Sequence, residues 1–229
     1  MRYSRIVSGI FIERPNRFIA YCEIGGKREK CHVKNTGRCK EILVEGCEVI
    51  LSVSDNPERK TKYDVIAAFK GERLINIDSQ VPNDVAEEAL IGGLIPGLTD
   101  IRREVTHGDS RIDICAEGKK MTFIEVKGVT LEKDGVVMFP DAPTERGVKH
   151  LNSLMRCIDE GYDAYILLVI QMTDVDYFIP NYATHEEFGI KLKEAADHGV
   201  HVLAYDCDVT EDSITLGREV EVRFRERSS

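Results

Sequence analysis

Alternating apolar and polar positions run through the first 80 residues and predict strands and turns. Arg5–Glu13 and Arg17–Ile24 are β-rich runs separated by Pro15-Asn16, a hairpin signal. Gly25-Gly26 turns the chain into Arg28–Val33, and Asn35-Thr36-Gly37 breaks the pattern. A short irregular or helical stretch leads to Gly46. Two further strands follow, Cys47–Ser54 and Tyr63–Phe69, with a polar loop over residues 55–62 between them. From Val81 the grammar changes. Pro82-Asn83-Asp84 is expected to cap a helix from Val85 to about Leu90, which Gly92-Gly93 ends. Ser110–Ala116 and Met121–Val129 read as strands. Residues 144–160 carry Val148, Leu151, Leu154, Met155 and Ile158 at close to a helical period. Ala164–Ile170 is apolar on both faces, as at the centre of a mixed sheet. A second amphipathic helix spans 186–198, Gly199 ends it, and His201–Tyr205 returns to the sheet.

These elements predict a two-domain α/β (α+β) chain. Residues 1–80 form a small OB-type β-barrel, five strands with a break after the third, and residues 81–229 an α/β layer with a mixed sheet. Composition agrees with a folded soluble chain, 42% hydrophobic and 31% charged. Met1 leads into charges rather than an apolar targeting segment, and the longest apolar run, Tyr165–Ile170, is too short to span a bilayer. A cytosolic protein without membrane attachment is expected. Its seven cysteines include no CxxC pair, so buried thiols are expected rather than disulfides or zinc.

The net charge of −9 argues against indiscriminate nucleic-acid binding, but the charge is uneven. Residues 1–80 hold 15 Lys+Arg against 11 Asp+Glu, and residues 81–229 hold 16 against 29. The 55–62 loop offers Arg59, Lys60 and Lys62 as phosphate contacts.

The candidate chemistry lies in Ile112-Asp113-Ile114 and Phe123-Ile124-Glu125-Val126-Lys127. Strand alternation puts the aliphatics on one face and Asp113, Glu125 and Lys127 on the other. If residues 118–120 form a three-residue loop, Glu117 pairs with Met121, and counting back sets Asp113 opposite Glu125. Like charges opposed on paired strands destabilise them, which calls for a cation. Asp113, Glu125 and the carbonyl of Val126 would hold one Mg²⁺ or Mn²⁺ with positions open for phosphate and water. Lys127 would hold or activate that water and stabilise developing negative charge. The pattern resembles PD-(D/E)xK nucleases.

Longer segments resemble the sugar fermentation stimulation protein A family. They are residues 32–38 (His32 to Arg38), 54–63 (Ser54 to Tyr63), Val81-Pro82-Asn83 with Glu88-Ala89-Leu90, Ser110-Arg111-Ile112-Asp113, residues 126–131, Phe139-Pro140-Asp141-Ala142 and residues 146–150. The resemblance implies an OB-like barrel followed by a nuclease-like domain, with DNA, single- or double-stranded, as partner. It implies Glu88 as a helix acid joining Asp113 and Glu125, with adjacent Glu87 the alternative from sequence. On the helix after the hairpin, Arg146, Lys149 and His150 are placed to reach phosphate, and Gln171 ends the central strand where related nucleases often carry a polar site residue. A metal-dependent nuclease is the first reading. The alternative is a non-cleaving DNA-binding regulator of sugar (maltose) use, and homo-oligomerisation is left open.

Overall fold

The structure, a computed structural model, describes residues 1–35 and 37–225. Thr36, at the centre of the expected Asn35–Gly37 break, lies outside the described residues, as does 226–229. Six strands come first: β1 (Ile6–Asn16), β2 (Ile19–Ile24), β3 (Lys27–Val33), β4 (Glu48–Val53), β5 (Tyr63–Lys70) and β6 (Arg73–Asn76). Their order is β3-β2-β1-β4-β5-β6, and a parallel β3–β5 pairing closes the first five into an OB-like barrel. β1 pairs with β4 through Ile6–Ile10 and with β2 from Ile10 onward, so it passes from one neighbour to the other at its middle. Gly9 sits at that corner, where a Cβ would meet the Glu23 carbonyl oxygen at 2.9 Å. Between β3 and β4 the chain forms turns, with Ile42 and Leu43 buried beneath the barrel.

The second part runs α1 (Val81–Ile91), β7 (Thr99–His107), β8 (Ser110–Glu117), β9 (Met121–Val129), β10 (Leu131–Lys133), β11 (Val136–Phe139), α2 (Glu145–Asp159), β12 (Asp163–Ile170), β13 (Tyr177–Pro180), α3 (Glu186–Asp197), β14 (His201–Val209), β15 (Ile214–Glu219) and β16 (Glu221–Val222). A six-stranded mixed sheet has the order β15-β14-β12-β9-β8-β7, and a smaller sheet joins β10, β11, β13 and β16. β12 lies between β9 and β14, parallel to both, which explains why Ala164–Ile170 is apolar on both faces.

The helices follow their local chemistry. Thr144 caps α2 by accepting the Gly147 amide at 3.0 Å, and Val148, Leu151, Leu154 and Cys157 are buried on the sheet side. Full burial of one such leucine contributes about 2 kcal/mol. α1 begins at Val81, four residues before the expected start, so Pro82-Asn83-Asp84 lies in the first turn rather than ahead of it. Proline has no amide to satisfy and opens a helix readily. β7 went unpredicted because Ile101 and Val105 are nearly its only apolar positions, and most of its residues face solvent at the sheet edge. Among the described residues, no helix is long and apolar enough to cross a membrane.

Buried apolar residues of the barrel are continuous with those on both faces of the mixed sheet. One cluster joins Ile50, Ile66 and Ala67 to Val81, Val85, Ile114, Ile124 and Val126, on the α1 side. A larger cluster joins the barrel interior to Phe123, Leu151, Leu154 and Phe188, on the α2 and α3 side. A polar seam adds direction. Lys70 donates to the Glu132 carboxylate at 2.7 Å, and Arg73 reaches its other oxygen at 3.0 Å. Burial alone pushes the Glu132 carboxyl up, but the Lys70 and Gly135 hydrogen bonds and the two cations outweigh it and hold the group below its usual range.

Glu132→Ala should therefore cost about 2 kcal/mol at neutral pH, discounted because both cations are partly exposed. A carboxyl held low in the folded state stabilises it above the unfolded value and loses that contribution as pH falls through the folded value. The gap between wild type and variant, read by urea denaturation, should thus close below about pH 4.3. An equal gap at neutral and acid pH would rule out the ion-pair account.

Candidate active site

The β8–β9 ladder follows the expected register from Glu117↔Met121 to Ile114↔Ile124. One step further the strands part. The Asp113 carboxylate accepts the Val126 amide proton at 2.9 Å, taking the place of a backbone ladder bond. Asp113 and Glu125 therefore sit side by side where the hairpin opens. Burial first, and then the negative charge of Glu125, push the Asp113 carboxyl up against the opposing pull of Lys127 and the Val126 amide. Glu125 goes the other way. Its burial raises it, but the His150 hydrogen bond and the charge and hydrogen bond of Lys127 outweigh that and hold it low. The two acids are split by their partners, Glu125 held low and Asp113 pushed up.

α2 supplies those partners. His150 is 7% exposed and its Nδ1 contacts Glu125 Oε1, which also accepts from Lys127 Nζ. Arg146, one turn earlier, donates from Nε to His150 Nε2 at 3.2 Å. A guanidinium can only donate, so Nε2 accepts and the Nδ1 proton points at Glu125. Sequence reading placed His150 as a phosphate contact and missed its bond to Glu125. The i, i+4 spacing of Arg146 and His150 on an amphipathic helix was the available signal.

Other expected residues lie elsewhere. Glu88 is on α1, exposed, and pairs with the Met1 ammonium group; Glu87 pairs with Arg103 at 3.4 Å. Neither joins Asp113 and Glu125, because α1 packs on the sheet face of Ile114, Ile124 and Val126, opposite the side chains of Glu125 and Lys127. Lys149 is exposed and pairs with Asp109 at 3.4 Å, on the flank of α2 away from His150. Arg59 folds back onto buried Asp64, which Lys34 and His32 also contact, leaving Lys60 and Lys62 as the exposed cations of that loop. Gln171 is buried at 1% exposure, and its Nε2 donates to Asn76 Oδ1 at 2.9 Å and the Asp78 carbonyl at 3.1 Å. It supports Gly128, the residue after Lys127.

The donor set suits a hard divalent cation. Asp113 Oδ2 accepts the Val126 amide and Glu125 Oε1 faces Lys127 and His150, so each carboxylate has a second oxygen to offer. A strand residue directs its N–H and C=O to the same edge. The Val126 amide goes to Asp113, so its carbonyl faces the same gap. Two carboxylates and a backbone oxygen are the ligands such cations take. Glu145, His185 and Glu187 also cluster, within 4.8 Å. There His185 Nδ1 accepts the Thr144 amide at 3.3 Å, which puts its proton on Nε2, facing the carboxylates. That nitrogen is a donor rather than a ligand.

An OB-like barrel joined to a mixed α/β sheet, with two acids and a lysine where a central hairpin opens, defines a two-domain α+β protein. Two family models divide the chain accordingly, the SfsA N-terminal OB domain over residues 12–77 and the sugar fermentation stimulation protein RE domain over residues 80–213. The chain belongs to the sugar fermentation stimulation protein family, SfsA. It is 55% identical to a sugar fermentation stimulation protein homolog of Clostridium beijerinckii, over 97% of this chain and 99% of the relative. It is 54% identical to a homolog of Desulfitobacterium hafniense, over 99% and 100%. The solved structure of Pyrococcus furiosus SfsA, in complex with Ca²⁺, superposes with a TM-score of 0.88 at 27% identity, covering 98% of each chain.

Gly128 offers a direct check on the site's support. A Cβ there would lie 2.5 Å from Gln171 Oε1 and 2.7 Å from Pro82 Cγ, and Gln171 is tied by its Nε2 to Asn76 and Asp78. Gly128→Ala should cost about 1–3 kcal/mol by overpacking. An unchanged urea midpoint would show that α1 or Gln171 gives way freely.

Proposed function

We propose that the chain is a divalent-metal-dependent phosphodiesterase acting on DNA. One observation carries the reading: Asp113 and Glu125 lie adjacent where the β8–β9 hairpin opens, with Lys127 bonded to Glu125 on the same face. Asp113, Glu125 and the Val126 carbonyl would hold one Mg²⁺ or Mn²⁺. When bound, the ion supplies Lewis-acid polarisation of a phosphoryl oxygen and lowers the pKa of a coordinated water. The Ca²⁺ held by the Pyrococcus furiosus relative supports an oxygen-ligand cation in this family.

The chain's own residues do the rest. His150 and Lys127 keep Glu125 ionised, as a ligand requires. Lys127 spends one ammonium proton on Glu125 and has others with which to orient an attacking water and stabilise charge on the phosphoryl oxygens. His150 is a positioning residue, oriented by Arg146. The Arg146 side chain, on an exposed residue, has its remaining guanidinium nitrogens available to a phosphate next to the site. Lys60 and Lys62 would meet phosphates farther out on the barrel.

A cleavage assay on single- and double-stranded DNA, with Mg²⁺ or Mn²⁺ and with EDTA, tests this. Asp113→Ala and Lys127→Ala should each lower the rate by about 10²-fold or more, and EDTA should abolish it. Equal rates in wild type and both variants, or no product from any DNA, would overturn the reading. DNA binding without product would put the non-cleaving regulator in its place.

A further inference from the structure

The strongest unassigned feature is a groove of about 720 Å³ on the barrel side, away from the loop carrying Lys60 and Lys62. Its cations are Arg14, Arg17, Arg38 and Lys40, over a floor that includes Phe11 and Leu43, and no carboxylate lines it. Arg14 is its base. Its two terminal nitrogens donate to the carbonyls of Asn35 at 2.6 Å, Arg17 at 2.7 Å, Arg38 at 2.8 Å and Gly37 at 2.9 Å. That ties Asn35, Gly37 and Arg38 to the β1–β2 hairpin through carbonyls, and Arg14 makes no ion pair among the described residues, with Asp141 lying against Gly37. The nearby Glu13 is taken by Arg28, and Arg17, Arg38 and Lys40 form no ion pair with a carboxylate among the described residues. Next to Arg17 stands Phe18, 51% exposed, in a turn held by Asn16 Oδ1.

The groove also borders segments that adjoin the candidate active site in sequence. Ala142 lines it from the segment that enters α2 just before Arg146. Gly37 lines both the groove and a smaller cleft, of about 140 Å³, whose walls include Gly128, Gln171 and Asp141. A cationic track with an exposed aromatic beside it suits a polyanion whose bases are unstacked and offer their faces. A duplex hides those faces.

We propose that this groove, with Arg17, Arg38 and Lys40 on phosphates and Phe18 stacking a base, is the track for a single strand of nucleic acid leading to or from the Asp113–Glu125–Lys127 site. The assignment rests on the reading of that site as one that acts on DNA. Arg14 holds the track's shape.

The test is fluorescence anisotropy of a labelled oligothymidylate and a labelled duplex with the full chain, in EDTA so that nothing is cut, across a salt series. The variants are R17E/R38E/K40E, its milder form R17Q/R38Q/K40Q, Phe18→Ala, and the loop variant K60E/K62E, each checked for a wild-type melting profile. The charge reversal should weaken oligothymidylate binding at least tenfold. Both triple variants should flatten the log–log salt slope by about 2, three contacts at about 0.7 each. Phe18→Ala should weaken binding about fivefold or more without changing the slope. The loop variant should lose less than the groove variants. Wild-type affinity in both triple variants, or loss in the loop variant alone, would overturn the groove while leaving DNA binding intact. Tighter binding of duplex than of single strand would overturn it equally. If wild type binds neither probe, the DNA reading itself fails and the groove falls with it.

Discussion

Burying Glu125 at the middle of a six-stranded sheet would cost several kcal/mol if its charge went unmatched, and the local structure is organised around that demand. Lys127 answers it from two residues along the same strand and His150 from the helix packed above. His150 can serve only if its ring is fixed, which Arg146 does from one turn away. The Thr144 cap sets where that helix starts and hence which residues face the sheet. A cap at the mouth of α2 and a carboxylate inside the sheet thus belong to one arrangement. Asp113 is left with no cation of its own. It takes a backbone amide instead, and the resulting break in the ladder opens the sheet at the spot where the two acids meet.

The same strand carries that arrangement to the barrel. After Lys127 comes Gly128, against which Gln171 and Pro82 both press, and Gln171 in turn holds Asn76 and Asp78 at the end of the barrel sheet. Lys70 and Arg73 close the seam on Glu132. The site and the barrel are therefore joined by short, directional contacts rather than by apolar packing alone, which fixes the barrel's cations in place relative to the acids. Two neighbouring modules linked only by a flexible segment would offer no such fixed spacing.

Elements whose partners lie on both sides declare themselves in sequence. β12, α2 and α3 were legible because burial imposes a period on every residue. β7, β6 and β13 were not, since edge or short strands need few apolar positions. The acids and lysine were legible for a related reason: charge alternating with aliphatics on a buried hairpin has few structural uses. What failed were assignments that depend on which way a helix or loop turns after docking. Lys149 and His150 are adjacent in sequence, yet one turn angle sends one to Asp109 and the other to Glu125. Glu88 faces the Met1 ammonium group, a partner that no local pattern announces. Arg59 lies five residues from Asp64, and its charge is consumed by an acid that reads as an ordinary strand residue until its burial is known.

Net charge is the remaining difficulty for any account that brings a polyanion to this chain, whose total is −9. At physiological ionic strength the screening length is about 8 Å, shorter than the width of either sheet. A phosphate near the barrel groove therefore senses Arg14, Arg17, Arg38 and Lys40 strongly, and the carboxylates of α3 and the far sheet edge weakly. The acidic remainder acts mainly at longer range, where it opposes loose adsorption of nucleic acid on other faces. An acidic body with a local cationic track is thus a device for confinement. The strand is favoured along one path, the one that Arg17, Arg38 and Lys40 line.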